Sequence, residues 1–64
     1  MAKFRISFER QMYGQDSKPI KYTVVLDLQA TTLTQALTEA PSKIQELHQI
    51  SVEPRDVREV ELLS

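Results

Sequence analysis

Side-chain catalysis needs a nucleophile, a base and an orienting group within hydrogen-bond reach of one another, and this sequence offers few of them. His48 is the only histidine, and there is no cysteine to pair with it. Ser7, Ser42 and Ser51 supply hydroxyls and carboxylates are plentiful, yet no spacing gathers them with His48 into a Ser-His-Asp arrangement. Gly14 is the only glycine, which excludes a glycine-rich phosphate cradle. The acidic run Glu53, Asp56, Glu59 and Glu61 has ligand chemistry for a divalent cation. It lacks the calcium-loop pattern and its glycine, and Arg55 and Arg58 interrupt it. These charges read instead as guards of a solvated edge strand. The expectation is a chain with no catalytic residues, no metal and no cofactor, which acts by binding and not as an enzyme.

What could bind is concentrated near the start. The net charge is −1, but Lys3, Arg5, Arg10, Lys18 and Lys21 outnumber Glu9 and Asp16 in the first third, whereas carboxylates dominate the remainder. Such polarity fits charges that pair within the fold or a surface for a charged partner. Tyr13, Met12, Arg10 and Tyr22 fall close together, and tyrosine, methionine and arginine are enriched at protein interfaces. The candidate contacts are Arg5, Arg10, Tyr13, Lys18, Lys21 and Arg58. A protein partner is the leading expectation. A single-stranded nucleic acid is the alternative, with bases stacking on tyrosines and phosphates held by the basic side chains. Against it, the same face carries Glu9, Asp27, Glu59 and Glu61, and no aromatic pair sits at strand centre. A homodimer formed through the second strand is the third.

Three elements and a helix must position these residues. Phe4, Ile6, Phe8 and Met12 alternate with Lys3, Arg5, Ser7, Glu9 and Gln11, the period of a half-buried strand over 3–12. Arg10 falls on the apolar side, where its stem can lie on the core and its head reach water. Gly14 to Pro19 is rich in turn residues, with Gly14 expected in a left-handed conformation. Over 20–30, Ile20, Tyr22, Val24, Leu26, Leu28 and Ala30 face one way, and Lys21, Thr23, Val25, Asp27 and Gln29 the other.

The period then changes. Leu33, Ala36, Leu37, Ala40, Ile44 and Leu47 recur at three and four residues, the stripe of an amphipathic helix. Thr32 and Gln35 form a capping box at its start, and His48 suits the negative end of its dipole. Pro41 inside the stripe is expected to kink the helix without splitting it, because the stripe stays in phase. Ser51 to Asp56 connects to a third strand over 57–63, with Val60 and Leu62 inward and Glu59 and Glu61 outward.

Charge orders the strands. A hairpin pairing Met12 with Ile20 sets Arg5 opposite Asp27. If the third strand lies beside the first with Phe4 opposite Leu62, Arg5 also faces Glu61. The other order would gather Asp27, Glu59 and Glu61 without a cation between them. The fold expected is therefore α+β, β-β-α-β, with an antiparallel sheet in the order 2-1-3, one kinked helix on one face and a wet face opposite.

Sixty-four residues make one domain, expected to span 1–64, and its stability must come from packing or from another chain. No stretch approaches the length of an apolar membrane span, Lys3 and Arg5 interrupt any signal-peptide pattern, and the missing cysteines fit the reducing cytoplasm.

The segment Ala30 to Ala40, reading ATTLTQALTEA, resembles the strand-to-helix junction of small phage-encoded inhibitors of bacterial RNA polymerase, the type found in T7-like phages. Ala30, Thr32, Leu33, Ala36, Leu37 and Ala40 carry the resemblance. It implies the same strand-strand-helix-strand order, a phage accessory protein and a host enzyme such as RNA polymerase as partner. That family's third strand bears polymerase-contacting arginines. Here the matching strand is Val57-Arg58-Glu59-Val60-Glu61-Leu62, so only Arg58 carries over, and Glu59 and Glu61 reverse the charge.

Overall fold

The computed structural model describes residues 1–13 and 16–64. Period-two alternation produces two long strands, β1 (Ala2–Tyr13) and β2 (Pro19–Ala30), joined in antiparallel register from Ala2 opposite Ala30 to Tyr13 opposite Pro19. Met12 lies across from Ile20 and Arg5 across from Asp27, as the charge argument requires. The left-handed conformation expected at Gly14 lies outside the described residues. Just after it, Ser17 adopts a left-handed φ of 65°.

Helix α1 (Leu33–His48) begins where alternation stops. Thr32 is extended, and its Oγ1 accepts a hydrogen bond from the Gln35 N–H at 3.1 Å. The return bond of the expected capping box is displaced by one residue. Gln35 Oε1 accepts from the N–H of Thr31, not of Thr32, at 2.8 Å. The orphan Gln35 N–H is thus served, and the second bond holds the residue before the cap. The helix runs unbroken through Pro41 and ends at Gln49, whose left-handed φ of 58° turns the chain while its N–H bonds the Gln45 carbonyl at 2.9 Å.

A single 3-10 turn (Pro54–Asp56) then leads into β3 (Val57–Leu62), which pairs with β1. The sheet order is β2-β1-β3, all antiparallel, with Phe4 opposite Leu62 and Arg5 opposite Glu61. Between Ser7 and Phe8 the register slips. Ser7 meets Glu59 and Phe8 meets Val57, so Arg58 is the extra residue of a β-bulge. The slip brings Val57, and not Arg58, opposite a core phenylalanine.

The core lies between the sheet and α1. Phe4, Ile6 and Phe8 from β1, Val24, Leu26 and Ala30 from β2, and Ala36, Ala40 and Ile44 from α1 are buried. Fully buried Ala36 and Ala40 let the helix approach the strands closely, and larger side chains there would overpack. Val52, in the connection after the helix, completes the cluster.

Several residues assigned to the apolar face on periodicity are nonetheless exposed. The helix packs mainly on β2 and less on β1. Val60 and Leu62 share the helix-side face with Ile6 and Phe4 through direct pairing, yet Leu62 stays 65% exposed because α1 is seated over β2 and β1 and not over this end of β3. Leu33 and Leu47 lie at the two ends of α1 and are exposed as well. Met12 and Ile20 are exposed for a third reason. Twelve strand residues span about 40 Å and sixteen helical ones about 24 Å, so the hairpin outruns its cover. The molecule is accordingly elongated, 44 × 20 × 15 Å.

Candidate functional site

The hairpin arm beyond the helix holds a group of apolar side chains in solvent. Met12 is 53% exposed, Tyr13 73% and Ile20 56%. Behind them runs a groove of about 360 Å³ lined by Arg10, Gln11, Met12, Tyr13, Tyr22, Gln49, Ile50 and Ser51. Its walls arise from two local decisions of the chain. The long strands carry Met12 and Tyr13 past the end of α1, and left-handed Gln49 folds Ile50 and Ser51 back toward them. Tyr22 and Ile50 are partly buried against the core and form the floor.

Arg10 is positioned by the fold. Its Nη1 donates to the Ser51 carbonyl at 2.6 Å and lies 3.8 Å from Asp56 Oδ2. Asp56 Oδ2 also accepts from the Glu53 N–H at 2.8 Å. Arg10 thus ties the connection between α1 and β3 to the middle strand, and its guanidinium is committed there. The expected role for Arg10, a stem on the core with a wet head, becomes a clamp.

The other candidate contacts are distributed over the sheet. Arg5 sits at mid-strand on the outer face, where Nε and Nη2 donate to the two oxygens of Asp27 at 2.8 and 3.0 Å. That fork holds the Asp27 carboxyl below the usual carboxylate range, chiefly through the hydrogen bond and next through charge against the cost of desolvation. The same bond, followed by the Asp27 and Glu61 charges, raises Arg5 above its ordinary value. Lys21 approaches Glu9 at 3.8 Å and remains largely exposed. Lys18 is exposed at the hairpin turn, with its N–H donated to Asp16 Oδ1 at 3.2 Å. Arg58 is exposed at the β-bulge, on the far strand. Tyr13 and Arg10 therefore share the groove, Lys18 and Lys21 lie elsewhere on the hairpin, and Arg5 and Arg58 lie apart.

Sequence reasoning missed Ile20, Gln49 and Ile50 as surface-forming residues and Val52 as a core residue. Ile50 and Val52 do alternate with polar neighbours, a short period-two signal inside a segment read only as a connection.

His48 is exposed in the last turn of α1. Among the described residues no group of three or more histidines or carboxylates is placed to hold a metal ion, and no helix is long and apolar enough to cross a membrane. Comparison with family models, with curated proteins and with solved structures yields no match to this chain.

Proposed function

We propose that this chain is a non-enzymatic protein-binding module that engages its partner through the projecting hairpin arm. One observation carries the reading. The two strands outrun the helix and hold Met12, Tyr13 and Ile20 in solvent beside a preformed groove. Isolated exposed apolar residues are ordinary, but a group of methionine, tyrosine and isoleucine around a concave floor has the composition of an interface centre. Exposed Lys18 at the hairpin turn and Lys21 on the outer face of β2 would favour an acidic surface and speed encounter more than they add affinity.

The basic side chains that would have served a nucleic acid are largely engaged elsewhere. Arg5 is held by Asp27, Arg10 by Ser51 and Asp56, and Lys21 lies near Glu9. The resemblance over Ala30–Ala40 extends the proposal to a bacterial enzyme such as RNA polymerase as target, with the module acting in the cytoplasm as a phage accessory factor. The contacts would differ from those of the resembling family, because Glu59 and Glu61 stand where basic residues would be needed.

The test is affinity capture from bacterial lysate, and binding to purified RNA polymerase, with the wild type and a Met12→Ala/Tyr13→Ala double variant. Both variant positions are exposed, so the fold should persist by circular dichroism. The proposal expects a defined partner held by the wild type and lost by the double variant. A partner retained equally by both, or none in either assay, overturns it.

A further inference from the structure

We propose that β2 pairs antiparallel with β2 of a second copy of this chain, about a two-fold axis at Val24, to form one continuous sheet. β2 is an edge of the sheet along its whole length. Lys3 shows which of its backbone groups are free. The Lys3 N–H bonds the Ser64 carbonyl at 3.1 Å, and the Lys3 carbonyl accepts from the Leu63 N–H at 2.8 Å. Lys3 therefore points both backbone groups away from β2. Direction alternates along an antiparallel strand, so Phe4, Ile6 and Phe8 bond to β2 through Leu28, Leu26 and Val24. The backbone groups of Lys21, Thr23, Val25, Asp27 and Gln29 then face outward from the edge, an open template for another strand.

A two-fold pairing leaves one choice, the residue on the axis, and the side chains make it. With Val24 there, Lys21 falls opposite the partner's Asp27 and Thr23 opposite the partner's Val25. An axis at Thr23 sets Lys21 against the partner's Val25, and one at Val25 sets it against the partner's Gln29. An axis at Lys21 or Asp27 opposes like charges. The Val24 axis also pairs nearly the whole strand, and Pro19, which has no N–H, meets the partner's Gln29 only at the ladder's end. Across the outer face the charges then alternate as Glu61, Arg5, Asp27 and the partner's Lys21, extending a row that the monomer already builds.

The helix-side face agrees. The same register lays the partner's Ile20 beside Leu28 at a groove of about 400 Å³ between α1 and β2, which Leu47 also lines. Ile20 and Leu47 are 56% and 64% exposed in the monomer, and this contact offers both an apolar neighbour. The proposal does not rest on the preceding reading: Ile20 and Lys21 of β2 would serve the dimer, whereas Met12 and Tyr13 lie on β1 and stay outside this edge.

Sedimentation velocity from micromolar to millimolar chain tests it. The wild type should form dimers. Lys21→Asp should weaken them about tenfold or more, since two attractive cross-strand pairs become repulsive. Asp27→Lys should do the same alone, and an equimolar mixture of the two variants should recover dimers, because each then supplies the charge the other lacks. Val25→Pro should leave a folded monomer, because it removes an edge N–H and none that bonds to β1. Asp27 also holds Arg5, so if Asp27→Lys fails to fold, Lys21→Asp and Val25→Pro decide. A wild type that stays monomeric at millimolar concentration overturns the proposal, as does a dimer indifferent to both of those changes.

Discussion

The Arg5–Asp27 fork lies on the exposed side of the sheet, so it works more as a register mark than as a source of stability. Its signature is in titration. Asp27 has its pKa lowered by the hydrogen bond from Arg5, so the stability linked to it is fully present above the ordinary carboxylate value. It is lost as the pH falls through the lower, folded value. The Asp27 side-chain resonance should titrate below its unfolded counterpart, and Arg5→Ala should move its midpoint up toward the usual range. An unchanged midpoint would remove the fork. The Thr32 cap makes a separate claim. Thr32→Ala leaves the Gln35 N–H without its partner and should cost about 1 kcal/mol in denaturant unfolding.

Between elements, the contact of helix and sheet depends on small side chains. Ala40 is fully buried where α1 crosses the strands, so Ala40→Leu should destabilise by roughly 1–3 kcal/mol through overpacking. Ile44, also fully buried, fails the opposite way. Ile44→Ala should cost about 2–5 kcal/mol through lost burial and a cavity. Chemical denaturation of the two variants checks both. The connection after α1 is held at Val52 by burial and at Ser51 and Asp56 by the Arg10 guanidinium. Arg10→Met keeps the apolar stem and removes that clamp. Amide exchange should then quicken in 50–56 while the β1–β2 ladder keeps its protection, and exchange in 50–56 unchanged from the wild type would show that Arg10 does not hold this segment.

For the molecule as a whole, shape follows from a mismatch of lengths. Two twelve-residue strands and a sixteen-residue helix cannot end together, because a strand advances more than twice as far per residue. The overhang makes the hairpin arm, and a helix seated over β2 and β1 leaves the β3 side bare. A small domain with two open sheet edges and a long exposed arm is a surface in search of neighbours. The arm is assigned here to a foreign protein and the β2 edge to a second copy.

Much of this fold was legible in the residues. The change from period two to period three-to-four at Thr32 located the helix, and opposite charges at Arg5, Asp27 and Glu61 selected the strand order. Alternation reports which way a side chain points and not whether anything lies above it. That is why Leu62, Val60, Met12 and Ile20 have the expected facing and yet remain in water. The same limit hid Val52, whose burial depends on where a loop returns, and the role of Arg10, whose partners are forty-one and forty-six residues away. The sequence by itself determined element type, strand order and the hairpin register, because these follow from local spacing and from charges brought opposite one another by pairing, but not the bulge at Arg58. Only the tertiary structure decided which apolar residues are covered and where a groove opens, because covering depends on the relative lengths and placement of elements in space.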